Sequence, residues 1–312
     1  MKRFKRIGLG LLLLLAACSK KDRIFKRLSI PFFGESKKEE IQKKYFAPNI
    51  TIWVHGTSLW PFRILKRYWT SSPTLIKVSS MKQNYYLRKI AETLSASSLN
   101  YPLEDFYFLR WSGKLSVSDR EETAAHLYNA IKDLLKKYKE KYETTPTITL
   151  ITHSHGGNVV LNISKVADKD PDIKINNLIL LACPVQKHTR EFVNDGVFEN
   201  VYSFYSSLDF IQVLDPQGLH YHPSFKCRKP KGESILSGRS FPKHSKLCNV
   251  KIKINGKGVW HTQFLSKEFV TILPQLINNL DRWREEAKES NYFISVLLNK
   301  KSAKKSKSKQ KL

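Results

Sequence analysis

The chain has 312 residues, 41% of them hydrophobic, which is enough for one large domain with a sizeable core. Its 54 lysines and arginines face 27 aspartates and glutamates, a formal net charge of +27 at pH 7. No internal repeat is visible, and beyond the N-terminal segment no run is apolar and long enough to span a bilayer; a solenoid and a multi-span membrane protein are thereby excluded.

In chain order, Lys2, Arg3, Lys5 and Arg6 precede a short apolar run, Ile7 to Leu15, and then Ala16, Ala17 and Cys18. This arrangement resembles a bacterial lipoprotein signal peptide, in which the cysteine becomes the lipidated first residue of the mature chain. The resemblance implies residues 1–17 as a removed signal, Cys18 as the lipid attachment and a lipid-anchored place in the bacterial cell envelope. Ser19 after the cysteine favours the outer over the inner membrane by the same analogy. An ordinary secretory signal containing a cysteine is the alternative.

Residues 18–47 form a basic linker, with Lys20, Lys21, Arg23, Lys26, Arg27, Lys37, Lys38, Lys43 and Lys44. Residues 299–312 form a lysine-serine tail without an acid. Neither can bury a core, so both are expected to be disordered. With the signal removed, the balance is still about +23. Each cation held against an anionic surface contributes about 1 kcal/mol, so membrane phosphate or acidic glycan is the expected partner. Nucleic acid is the usual partner of so basic a chain, but it is not expected for an exported one. A genome-wide bias toward lysine codons explains the charge equally well.

Residues 48–298 then alternate strands and helices. Asn49–Val54 reads as a buried strand ending in His55-Gly56. A stretch with Trp60, Phe62, Arg63, Tyr68 and Trp69 follows, then a helix from Tyr86 to Leu94 and a strand from Asp105 to Trp111. Ser118 to Glu121 has capping-box spacing. It opens an amphipathic helix with Ala124, Leu127, Ile131, Leu134, Leu135, Tyr138 and Tyr142 on one face. Pro146 stops that pattern. Thr147–Ile151 is the third strand, followed by a helix from Gly156 to Ala167 and strands at Ile175–Cys183 and Asn200–Tyr205. A polar insertion runs from Pro216 to Lys246 before the last strand, Cys248–Ile254. A helix from Phe264 to Leu280 and an amphipathic segment from Asp281 to Leu298 close the series. About six strands joined mainly by helices predict an α/β fold, with a doubly wound, mostly parallel sheet.

The chemistry concentrates at Thr152-His153-Ser154-His155-Gly156-Gly157, between a β-branched run and a helix. A serine on such a turn is lifted above the sheet edge, where a base can reach its hydroxyl. The neighbours two residues away on each side must be compact. Gly156 suits this, and Thr152 replaces the commoner glycine at some cost in crowding. The oxyanion needs backbone donors, expected from His155 and from Thr57 in the His55-Gly56-Thr57 loop. In the order serine, acid, base, the base is His261, just after the last strand, and the acid is Asp209, with Asp215 as the alternative. His153 reads as a packed residue beside the turn. His153/His155 and His220/His222 with Cys227 lack recognised zinc spacing, so no metal is expected. Cys183 reads as a buried apolar residue, whereas Cys227 and Cys248 flank the polar insertion and are candidates for a disulfide.

On His55-Gly56, Trp111-Ser112-Gly113, Thr152 to Gly157, Cys183-Pro184, Asp209 and His261, the chain resembles the α/β-hydrolase superfamily from about Asn49 to Leu280. The resemblance is to its lipase-like members, and more loosely to lipases related to GPI inositol-deacylases. It implies ester or thioester hydrolysis through an acyl-enzyme, without a cofactor, on an ester or lipid substrate. Acyl transfer on the same residues, and a non-enzymatic surface lipoprotein that binds anionic membrane or glycan, are the alternatives. Residues 59–69 and the insertion are candidates for a lid or acyl-binding wall.

Overall fold

The computed structural model describes residues 48–57, 72–167, 173–215 and 236–280, together with Arg282, Glu285 and the backbone of 293–298. Cys18, the basic linker, residues 59–69, His220, His222, Cys227, most of the polar insertion and the tail lie outside these residues.

The elements are β1 (Asn49–Val54), β2 (Thr74–Lys77), α1 (Tyr86–Ser97), β3 (Phe106–Arg110), α2 (Val117–Tyr142), β4 (Thr147–His153), α3 (Gly156–Leu161), α4 (Ser164–Ala167), β5 (Ile175–Leu181), β6 (Phe198–Tyr205), β7 (Leu247–Ile254), β8 (Lys257–Gly258), α5 (Lys267–Ile277) and β9 (Phe293–Leu298). They build one sheet in the order β2-β3-β1-β4-β5-β6-β7-β8, with β9 also pairing with β7. Every pairing from β3 across to β7 is parallel, as is β7 with β9. β2 on β3 and the short return β8 on β7 are antiparallel.

The α/β sheet expected from the sequence is therefore present, and larger than the six strands predicted. β2 and β8 are too short to carry a pattern of their own. The end of the amphipathic segment, residues 293–298, is a strand. The polar insertion thus precedes β7, which is not the last strand.

Strand alternation explains the two layers of helices. Ile50, Ile52 and Val54 of β1, Ile148 and Leu150 of β4, and Leu178 and Leu180 of β5 face one side. There they meet Ala124, Leu127 and Ile131 of α2 and Val159, Val160 and Leu161 of α3. Trp53, Ile151, Ile179 and Leu181 face the other side and meet Leu87, Ile90, Ala91 and Leu94 of α1 and Phe269, Val270, Leu273 and Leu276 of α5. Period-two strands between period-3.6 helices bury apolar area on both faces, which is why the strands read as nearly continuous hydrophobic runs. Each buried leucine or isoleucine contributes roughly 1.5–3 kcal/mol.

The cap of α2 lies two residues earlier than the sequence suggested. Ser116, not Ser118, accepts the hydrogen bond from the Asp119 N–H at 3.2 Å. Glu143, in the left-handed region at φ 55°, closes the helix. The helix read from Gly156 to Ala167 breaks after Leu161, where buried Asn162 donates its side-chain amide to the Asn158 carbonyl at 2.8 Å. Cys248 is a buried residue of β7. Among the described residues no helix is long and apolar enough to cross a membrane.

Candidate active site

Chain order and sheet order differ around β1, which lies between β3 and β4. Loops leaving the carboxyl ends of such strands converge, and this is where open α/β sheets carry their sites. Here those loops bear His55 to Thr57 after β1, Ser154 after β4, Asp209 after β6 and His261 after β8.

Ser154 occupies the left-handed region at φ 54°. A non-glycine residue there is uncommon and strained, and persists only where its surroundings impose it. The constraints are visible. The Ser154 N–H donates to the Leu181 carbonyl at 2.9 Å, and the Gly157 N–H donates back to the Ser154 carbonyl at 3.0 Å. A Cβ at Gly156 would stand 2.5 Å from the Val54 carbonyl oxygen, so the turn fits against the end of β1 only with glycine there. Thr152, the residue that departs from the usual glycine, is fully buried, and its hydroxyl donates to the Ile179 carbonyl of β5 at 3.3 Å. Its polar atom is satisfied and its bulk lies along the strand.

The loop after β1 lies directly on the serine. A Cβ at Gly56 would come within 2.7 Å of Ser154 Cβ and 3.3 Å of Ser154 Oγ. Only a glycine lets the backbone carrying Thr57 approach so closely. His55 holds this loop: its ring stacks on Phe108 and Trp111, each with centroids 5.5 Å away. Its Nδ1 lies 2.6 Å from the Gly56 carbonyl oxygen, and the Trp111 indole N–H donates to the His55 carbonyl at 2.9 Å. Burial pushes the His55 imidazole down to about 4, so it is neutral near pH 7.

His261 Nδ1 lies 2.8 Å from Asp209 Oδ2. The carboxylate accepts, so the proton sits on Nδ1 and Nε2 carries the lone pair, the tautomer a general base requires. The other Asp209 oxygen accepts the Gln212 N–H at 3.1 Å. The two loops are fastened together. Ser206 Oγ accepts the Val259 N–H at 2.7 Å, and a Cβ at Gly258 would meet Leu208 Cβ at 2.6 Å. His153, next to the serine, puts Nε2 3.0 Å from the His261 carbonyl oxygen, with ring centroids 4.8 Å apart. Burial first, and then the neighbouring His261, lowers His153 to about 3, so its Nε2–H is a neutral donor. The loop bearing His261 is thus tied to the serine turn itself.

Asp215 goes elsewhere. Its Oδ1 lies 3.2 Å from His155 Nε2, while Arg120 Nη1 lies 2.9 Å from His155 Nδ1. The structure thus pairs Asp209 with His261 and Asp215 with His155, and the two histidines flanking Ser154 turn to separate partners. Among the described residues no cluster of three or more histidine, cysteine, aspartate or glutamate side chains has metal-binding proximity. The sequence reading missed Arg120, Gln186 and Ser237, which surround His155 and Asp215. For Arg120 a signal exists: it stands four residues before Ala124 and seven before Leu127, on the buried stripe of α2. A charge in that register requires a buried partner.

A serine on a left-handed turn at the carboxyl end of a strand, in a mostly parallel sheet flanked by helices, is similar to the construction of lipase- and esterase-like α/β hydrolases. Residues 80–212 match the family model of the PGAP1-like alpha/beta domain. No curated protein matches the sequence. Among solved structures, phospholipase PlaB from Legionella pneumophila, in complex with thio-NAD, is similar at 18% identity over 44% of this chain and 25% of that one, with a TM-score of 0.26. A lipase-esterase related protein from Clostridium acetobutylicum is similar at 18% over 49% of this chain and 50% of that one, TM-score 0.24. Carboxyl esterase 2 from Tuber melanosporum aligns at 12% over 78% and 79%, TM-score 0.39. The chain thus spans a quarter and a half of the length of the first two.

Proposed function

We propose that the protein is a serine hydrolase that cleaves carboxylic esters of lipid character through an acyl-enzyme. The observation that carries this reading is the strained Ser154 turn tied, through His153, to a His261–Asp209 pair whose hydrogen bond leaves Nε2 as the acceptor. In this reading His261 Nε2 takes the Ser154 proton as Oγ attacks the ester carbonyl carbon. The backbone N–H groups of His155 and Thr57 receive the oxyanion, and Asp209 holds the imidazolium. Collapse expels the alcohol, which leaves with the proton from His261. A water then repeats the sequence on the acyl-serine and releases the acid.

The lipid character of the substrate rests on the rim. Phe210, next to Asp209, and Trp260, next to His261, remain 50% and 47% exposed, and their rings lie 6.2 Å apart. Large aromatics exposed together beside a site suit an apolar chain or a membrane interface. In the same reading, a lipid on Cys18 and the basic flanks, both inferred from the sequence, would hold this chemistry at the surface of the bacterial envelope, the outer membrane before the inner.

Ser154→Ala is expected to lower kcat/KM on a medium-chain ester by at least about 10³-fold and to abolish fluorophosphonate labelling. Full activity and labelling in that variant would falsify the mechanism. Cys18→Ser is expected to move the protein from the membrane to the soluble fraction and to lose fatty-acid incorporation; a variant that stays lipidated removes the anchor from the reading.

A further inference from the structure

Behind the serine turn lies a polar cluster that the proposed chemistry does not use. His155 directs its ring away from Ser154 into a pocket where Arg120, Asp215, Asn158, Gln186 and Ser237 meet. Arg120, His155 and Asp215 have relative exposures of 0%, 3% and 7%. Charged side chains are almost never so buried unless paired.

The hydrogen-bond chemistry assigns every proton on the imidazole. A guanidinium only donates, so Arg120 Nη1, at 2.9 Å, requires a lone pair on His155 Nδ1. Asn158 Nδ2 faces the same nitrogen at 3.4 Å. Its orientation is fixed independently, because it also donates to the Pro184 carbonyl at 3.0 Å while Oδ1 accepts from the Thr189 hydroxyl at 2.6 Å. The proton of the ring is therefore on Nε2, pointing at Asp215 Oδ1 at 3.2 Å. Asp215 also accepts hydrogen bonds from Gln186 (2.6 Å) and Ser237 (2.8 Å), so three donors meet its carboxylate. A neutral imidazole thus bridges a buried guanidinium and a buried carboxylate.

We infer that Arg120, His155 and Asp215 form a clamp that positions the backbone N–H of His155, the donor nearest the reacting serine. The inference rests on the hydrolase reading above. With both ring nitrogens engaged, the side chain of His155 has one orientation, and the backbone one residue from Ser154 follows it. The clamp gathers separate parts of the chain: α2 through Arg120, the loop after β5 through Gln186, and both Asp215 and Ser237, which flank residues 216–235. The Ser237 N–H also donates to the Asp215 carbonyl at 3.3 Å. These are positioning residues, and their effect belongs in transition-state binding rather than in substrate binding.

The test begins with the protein carrying ¹⁵N-labelled histidine. His155, assigned by its disappearance in His155→Gln, is expected to show a protonated Nε2 and a bare Nδ1 in the wild-type protein; an imidazolium, or a proton on Nδ1, overturns the clamp. Then kcat, KM and the affinity of a boronic acid analogue are measured for Asp215→Asn and Arg120→Lys, normalised to sites titrated by a fluorophosphonate. Deleting an oxyanion donor costs about 10²–10³ in kcat, so displacing one is expected to cost about 10-fold or more, with KM unchanged and the analogue weakened in parallel. Equal kcat and analogue affinity per titrated site, with only a lower Tm, would make the cluster a purely structural element. Failure of the wild-type protein to label at Ser154 would instead sink the hydrolase reading, so the two failures are distinguishable.

Discussion

Ser154, His261 and Asp209 are each held by a constraint that can be named: a left-handed φ, a tautomer and a doubly accepting carboxylate. The tautomer is the most sensitive of the three. Asp209→Asn preserves shape but lets the amide donate toward Nδ1, which stabilises the wrong tautomer and removes the counter-charge for the imidazolium. The expected result is a loss of about 10³–10⁴ in kcat with KM nearly unchanged, read by steady-state kinetics on a soluble ester. A loss confined to KM would remove Asp209 from the proton-transfer path. The sequence named both carboxylates, Asp209 and Asp215, but could not choose between them. Both lie in the same connection after β6, and which one meets His261 depends on how that loop folds over the sheet end. His153 shows the same limit. Its packing beside the turn was legible, but its hydrogen bond to the His261 carbonyl joins residues 108 apart in the chain.

At the scale of elements, the site is an assembly of four loops, and close backbone approaches set their spacing. Gly56 lies against Ser154, Gly156 against the end of β1, and Gly258 against Leu208. The two loops bearing His261 and Asp209 also carry the exposed pair Trp260 and Phe210, with Arg239 5.7 Å from the Phe210 ring. If this rim receives the acyl chain, Trp260→Ala is expected to raise KM by about 3–10-fold for long-chain esters and to leave acetyl esters nearly unchanged, since each buried methylene is worth about 0.8 kcal/mol. Equal changes for short and long chains would place the acyl group elsewhere. The six central strands and the longer helices were legible because their hydrophobic periods are long and regular. β2 and β8, of four and two residues, were not, because so short a run carries no period. The C-terminal segment reads as amphipathic, yet at residues 293–298 the open edge of β7 pairs with it as β9.

Over the whole molecule, buried neutral histidines couple the fold to pH. His55 and His153 are lowered from 6.5 to about 4 and about 3, and the partly buried His188 to about 4, chiefly by burial. Below pH 6.5 the unfolded chain binds protons at these positions that the native state does not, so stability falls as pH falls. If His55 and His153 remain neutral, their share of the loss between pH 8 and pH 5 is on the order of 4 kcal/mol. Asp215 adds nothing in this window: its folded carboxyl is depressed, and its contribution is lost only below the unfolded value of about 3.9. Urea midpoints are therefore expected to drop steadily from pH 7 to pH 5, and to drop less steeply in that range for His55→Phe, which removes one of these histidines. A wild-type midpoint independent of pH would show that burial does not hold these rings neutral.

By itself the sequence determined the α/β layering, the serine turn between a strand and a helix, and the residue types of a nucleophile, base and acid in order along the chain. These are local properties: side-chain period, turn chemistry and spacing. Only the tertiary structure decided that Asp209 meets His261, that Asp215 and Arg120 meet on His155, and that the loop after β1 lies against Ser154. Those contacts join residues dozens to more than a hundred positions apart. They arise because parallel strands gather their loops at one edge, where burial favours pairing of charges and imidazole nitrogens, as at Asp209–His261 and Arg120–His155–Asp215.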